Sequence, residues 1–154
     1  MTNEQEQCPY CRGVKRIREI KVGPRSFYTL DVDGQWQKRA GVPITIKGFK
    51  FFFVPLDSPV NVKIEAYSLD SLKLFDGFRI SHQTALYQCA TEEGFIRAVM
   101  PLLIKIDRNL DGLKEENWKS ILRSERATAI TECGARNQEE RKFIDDFLKE
   151  HENG

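Results

Sequence analysis

The chain has 154 residues and a formal net charge of +1, with 40% hydrophobic and 31% charged residues. That is the size of one ordinary domain, large enough to bury a core without a disulfide framework. The longest apolar runs, such as Val99 to Ile104, fall far short of the ~20 residues that span a bilayer, which excludes a helical membrane protein.

The charge is uneven. Residues 1–50 hold ten Lys/Arg against five Asp/Glu, a balance of +5, while residues 51–104 and 105–154 each come to −2. The N-terminal third is therefore a basic lobe, suited to nucleic acid or to an acidic partner surface. Residues 1–7 are polar and acidic, lacking the basic and apolar regions of a signal peptide. They are expected to be a disordered tail. Four cysteines in an unexported chain then suggest reduced thiols or metal ligands in a cytoplasmic setting.

Residues 8–154 are expected to form one α+β domain, with a Cys-x-x-Cys turn and basic arm over 8–26, a β-rich part over 27–89 and a helical part over 91–150. Val14 to Val22 reads as a strand, broken by Gly23-Pro24. Phe27 to Val32, the turn pair Asp33-Gly34 and the return Gln35 to Lys38 predict a hairpin. Gly41-Val42-Pro43 reads as a loop. Ile44 to Ile46 and Phe49 to Val54 read as strand around Gly48, ending at Pro55. Four phenylalanines (49, 51, 52 and 53) cannot all point inward unless both faces of that strand are covered. One of them is therefore expected to be exposed for a partner. Val60 to Tyr67 alternates as a strand with one buried face. Phe78 to Ile80 and Thr84 to Cys89 suggest a further hairpin.

After Cys89 the period becomes helical. Thr91 is a fair N-cap, with Glu92 and Glu93 in the first turn where the helix dipole favours them. Pro101 is expected to kink or split this helix. A second helix is expected over about 114–126. A third is expected from Asn137, with Glu140 at capping-box spacing. Strands first and helices later predict an antiparallel sheet over the N-terminal two thirds, with two to three C-terminal helices on one face.

Cys8-Pro9-Tyr10-Cys11 matches the active-site tetrapeptide of glutaredoxins. A thiol-disulfide oxidoreductase would use Cys8 as thiolate and Cys11 as resolving thiol. The flanks oppose this: Thr2 to Gln7 is too polar for a buried strand, and a hairpin stands where a βαβ crossover belongs. Cys-Pro-x-Cys-x-Gly is also a zinc-knuckle form. A structural zinc would draw on Cys8, Cys11, Cys133 and Cys89, with His82 or His151 as substitutes. Alternatively it would join two protomers through one cysteine pair from each, giving a homo-oligomer. Asp107-x-Asn109-x-Asp111-Gly112 has the first half of an EF-hand loop, but Trp118 stands where the closing glutamate belongs.

The basic lobe supplies the candidate binding residues Arg12, Lys15, Arg16, Arg18, Lys21, Arg25, Lys38 and Arg39, interleaved with Phe27 and Tyr28. Such a pattern suits single-stranded nucleic acid, where bases stack and phosphates pair. In opening with Cys8-Pro9-Tyr10-Cys11-Arg12-Gly13, running through short strands and closing on a Glu/Lys-rich helix, the chain resembles small accessory proteins of phages and prophages of Gram-positive bacteria. The match covers the opening turn and Glu132-Cys133-Gly134. The resemblance implies a protein that binds host or phage machinery in the bacterial cytoplasm, a class that includes inhibitors of CRISPR nucleases. The expectation is a non-enzymatic interaction protein with a protein or nucleoprotein target and no membrane. A direct nucleic-acid binder with a zinc knuckle and a thiol-disulfide oxidoreductase are the alternatives.

Overall fold

The structure, a computed structural model, describes residues 20–152. Six strands come first: β1 (Ile20–Val22), β2 (Ser26–Val32), β3 (Gln35–Ile46), β4 (Phe49–Asp57), β5 (Val62–Ser68) and β6 (Leu74–Ile80). Four helices follow among the described residues: α1 (His82–Gln88), α2 (Glu92–Asp111), α3 (Glu115–Cys133) and α4 (Gln138–Glu152). The fold is α+β, as expected. Every strand pairing is antiparallel, in the order β1-β3-β4-β5-β6, with β2 paired to β3 alone. The described strands thus contain no βαβ unit of the kind a glutaredoxin requires.

Two tight reversals set the register. Asp33-Gly34 takes φ of 53° and 82°, and Lys47-Gly48 takes φ of 52° and 84°. Two successive positive φ values define the turn whose twist matches an antiparallel pair. The first was expected. The second divides what read as one strand around Gly48 into β3 and β4.

β3 serves two partners. Residues 35–41 pair with β2, and residues 42–46 pair with β1 and β4. Gly41-Val42-Pro43, expected to be a loop, is the crossover inside this continuous strand. At Gly41 the backbone lies so close to β4 that a Cβ would stand 2.3 Å from the Phe53 carbonyl oxygen and 3.1 Å from the Phe52 ring. That approach folds the β2–β3 hairpin over one face of β4 and β5.

Both faces of β4 are consequently covered. Phe51 and Phe53 join Ile44, Ile46, Ile64, Val99, Leu103, Ile106, Trp118 and Leu122 in the core beneath the helices. Phe52, on the other face, packs with Leu30, Val54 and Tyr67 under the hairpin. The Tyr28 ring meets Phe52 edge-on at 4.7 Å. Phe51, Phe52 and Phe53 are all at most 1% exposed, and Phe49 is half-buried near Trp118. The expectation of an exposed phenylalanine here is corrected: the second cover, invisible in the local pattern, removes the need for one. β5 is buried on both faces for the same reason, so Tyr67 donates to Glu65 beneath the hairpin at 3.2 Å.

The helices cover the opposite face. α1 replaces the expected second hairpin strand; Ser81 caps it by accepting from the Thr84 N–H at 3.1 Å. Thr91 caps α2 through the Gly94 N–H at 3.0 Å. Pro101 does not split α2, which runs on to Asp111. Its ring faces solvent while Val99, Met100, Leu102 and Leu103 hold the flanking turns in the core. The Asp107 and Asp111 carboxylates lie in α2, not in a calcium loop, and both engage the Lys47 ammonium. α3 runs seven residues past its expected end at Arg126, to Cys133. α4 starts as expected, with Asn137 accepting from the Glu140 N–H at 3.0 Å.

Gly41→Ala should destabilise the fold by about 2–3 kcal/mol in urea unfolding, because the added methyl meets backbone that cannot yield. Unchanged stability would show that the crossover is looser than described.

Candidate interaction surface

The structure separates the residues read as one basic lobe. Arg12, Lys15, Arg16 and Arg18, with Cys8 and Cys11 and the tail over 1–7, lie outside the described residues. Lys21 is exposed, on the face of β1 opposite Ile20 and Val22, which pack on the helix-side core. Lys38 and Arg39 do not form a pair of cations. Successive strand residues point to opposite faces, and the register places Lys38 beside Thr29 and Arg39 beside Tyr28. Lys38 is outward, its ammonium 5.2 Å from the centroid of the Phe27 ring. Arg39 turns inward and half-buried, donating to the Gln37 side chain at 2.6 Å.

Across the β2–β3 pair from Phe27, at Ala40, the molecule opens into a groove with a volume near 880 Å³. The groove lies between the β1–β2 link, the β3 crossover, the ends of β4 and β5, and α1. Val22, Pro24, Val42, Ile64, Leu86 and Phe95 give it an apolar lining, and Arg25 stands at its edge. Leu86 of this lining is 70% exposed and the next residue of α1, Tyr87, 74%, while Phe27, 65% exposed, lies across the β2–β3 pair from the lining residue Ala40. α1 is held at this site by His82, whose Nε2 lies 2.9 Å from the Asp57 carboxylate and 2.7 Å from the Ser58 carbonyl oxygen. Isolated exposed apolar residues are ordinary, whereas a contiguous apolar patch is a common feature of interaction surfaces.

The hairpin tip is fastened at the other end of β3. The Trp36 indole N–H donates to the Gly134 carbonyl at 2.6 Å, and the Arg136 guanidinium lies 4.1 Å over the indole ring. Arg136 is itself held by Glu140, at 2.7 Å. Lys73 joins Asp31 at 3.2 Å to Glu132 at 3.4 Å. The Asp31 N–H also donates to the Leu72 carbonyl at 2.8 Å. No local pattern around Trp36 announced this role, since its partners lie about a hundred residues away in the chain.

Two cysteines fall on different parts of this frame. Cys89 ends α1 and lines the groove, and burial raises its pKa. Cys133 ends α3 beside Asp31, at the fastened tip. The other two cysteines of the expected zinc set, Cys8 and Cys11, lie outside the described residues. Among the described residues, no cluster of three or more metal-ligating side chains occurs, and no helix is long and apolar enough to cross a membrane. No protein-family model, curated protein or solved structure matches the chain.

Cys133 supplies a chemical check of the tip. Its pKa is pushed up to about 11, first by burial and then by the neighbouring Asp31 carboxylate. Fewer protons are bound to the unfolded thiol than to the folded one between its ordinary pKa and the raised value. Its contribution to stability therefore declines as pH rises through that window. At pH 8, alkylation of Cys133 in the folded chain should be about a hundredfold slower than that of a free cysteine, because the thiolate is the nucleophile. Asp31→Asn should speed it; a rate equal to free cysteine would refute the burial described.

Proposed function

We propose that the chain is a non-enzymatic interaction protein that seats an apolar segment of a protein or nucleoprotein partner in the groove beside α1. The observation that carries this reading is the apolar concavity itself, lined by Val22, Pro24, Val42, Ile64 and Phe95 with the exposed Leu86 at its rim. Large aromatic and aliphatic anchors at the centre of such a patch, with charge at its edge, are the usual anatomy of a protein interface. Arg25, Asp57 and Glu92 give the groove a rim of mixed charge, so its apolar lining is what would select the partner segment. The opening Cys8-to-Gly13 turn, through its resemblance to phage accessory proteins, supplies the proposed setting: host nucleic-acid machinery, of which a CRISPR nuclease is one example. A structural zinc on Cys8 and Cys11, completed from Cys89 and Cys133, would tie the basic arm to the fold in the same proposal.

A second reading has its own observation. Lys38 over the Phe27 ring, on an open strand face, is a cation beside a stacking platform, the elements of single-stranded nucleic-acid contact.

An affinity capture from bacterial lysate, run side by side with Leu86→Asp, tests the first reading. Leu86 is exposed, so the variant should keep its circular dichroism and lose the captured protein. Retention of the same protein by Leu86→Asp would remove the groove from the interaction. Anisotropy of a labelled oligonucleotide tests the second. Binding that falls steeply with salt and weakens in Lys38→Ala would put nucleic acid in place of the apolar segment. Metal analysis should find one equivalent of zinc, lost in Cys8→Ser; a metal-free chain of full stability would remove the staple.

A further inference from the structure

At the opposite end of the β3–β4 ladder, a second concavity separates the sheet from the α3–α4 pair. This cleft of about 340 Å³ is formed by the Lys47-to-Phe49 turn, Asp70, the first half of α3 and Phe143 of α4. Helical spacing aligns Lys119, Arg123 and Arg126 along one side of α3, since residues three and four apart are neighbours on a helix surface.

The cations differ in how much of their charge is already used. Lys47 is held by Asp107 at 2.9 Å and by Asp111. Arg123 forks onto the Glu150 carboxylate, and its guanidinium lies 5.6 Å from the Phe143 ring centroid. Lys119 pairs with Glu115 at 3.1 Å, but these two side chains are 69% and 70% exposed. An exposed i,i+4 pair of that kind contributes only ~0.3–0.5 kcal/mol and exchanges readily. Arg126 lies 4.7 Å over Phe143. Its Nε is buried without a hydrogen-bond partner, and its charge acts on Glu140, whose pKa it helps to lower, without a direct ion pair among the described residues. A buried donor of this sort is costly to leave unpaired, and an acceptor arriving in the cleft would relieve the cost.

We propose that the cleft is a binding site for a phosphate-bearing ligand, with Arg126 and Lys119 as its principal donors and Phe49 and Leu122 as its apolar wall. Four cations and two carboxylates, Asp70 and Glu115, line it. A singly charged acid gains little from that balance, whereas a polyphosphate can engage several cations while exposed Glu115 swings outward. The volume suits a ligand of nucleotide size. Guanidinium groups favour phosphate because their fork matches its oxygens. The same chemistry is presented by a free di- or triphosphate and by the backbone of a single strand.

Calorimetric titration of the full chain at low ionic strength distinguishes these sources, with inorganic triphosphate, adenosine diphosphate and an oligothymidylate as separate probes. One probe at least should bind with one-to-one stoichiometry per cleft. Lys119→Ala and Arg126→Gln should each weaken it by about tenfold or more, the loss of one charge-assisted hydrogen bond. Arg97→Ala, at an exposed cation of α2 outside the cleft lining, should leave it unchanged. Tight triphosphate or diphosphate binding assigns a small ligand; binding of the oligothymidylate alone, with the same sensitivity to Lys119→Ala, assigns a strand. Absence of binding by all three, or equal binding by the wild type and Lys119→Ala, overturns the proposal. Lys119 is exposed, so this outcome does not depend on whether Arg126→Gln folds.

Discussion

The close approach of Gly41 to β4 is the constraint on which the rest of the molecule depends. Without a side chain at that point, β3 can leave the main sheet and carry β2 back across Phe52. Phe52, Leu30, Val54 and Tyr67 then form a second apolar layer, each at most 2% exposed. Burying a large apolar side chain stabilises by roughly 1.5–3 kcal/mol, so four such residues matter greatly against the marginal net stability of a domain. The helices need only cover the other face. The result is a sheet with two unequal covers, a hairpin on one side and helices on the other.

Such a hairpin would be a weak cover if it were held only at its hinge. An isolated two-stranded ribbon is marginal in water. Trp36 and Arg136 fasten its tip to the α3–α4 link, and Lys73 bridges Asp31 to the end of α3. The indole supplies both a hydrogen-bond donor and a face for a cation, which is why one side chain can make two attachments. Glu140 extends the chain of contacts into α4: its carboxylate, side chain 4% exposed, accepts from Arg136, and its pKa is lowered first by that hydrogen bond. The stabilisation from this pair is therefore present above the ordinary carboxylate range and fades as acid protonates Glu140. Arg136 is about a third exposed, so solvent screening keeps the effect modest.

The parts of the fold legible in the chain were those written in local chemistry. Asp33-Gly34 reads as a turn because few other pairs tolerate two positive φ values. Thr91 and Asn137 read as caps because a short oxygen-bearing side chain before a helix has one obvious use. The alternation in β5 showed one buried face, and the second was hidden because its cover comes from residues far away in sequence. The same reason explains the phenylalanines at 51 to 53. Gly41-Val42-Pro43 looked like a loop because glycine and proline usually punctuate; here glycine permits a crossing, and Pro43 lies within the paired stretch of β3. α1 was missed because seven residues give too little period to separate a helix from a strand. Of the candidate binding residues, Lys21, Arg25 and Lys38 are exposed, whereas Arg39 faces inward by strand alternation.

Net charge misled about where cations would gather. Residues 105–154 sum to −2, which suggests an acidic helical half. Yet Glu139, Asp145 and Asp146 are exposed, while Arg123 and Arg126 turn toward Phe143 and the sheet. A sum over a segment loses the direction in which each side chain points, and the field at a surface depends on that direction. The spacing 119, 123, 126 carried the information all along, as a helical stripe. The N-terminal third shows the converse: a balance of +5 over residues 1–50 is divided by strand alternation between two faces. The described fold thus places an apolar groove where the composition looked basic and a cationic cleft where it looked acidic. They lie at opposite ends of one strand pair, far enough apart that a partner in one need not exclude a ligand in the other.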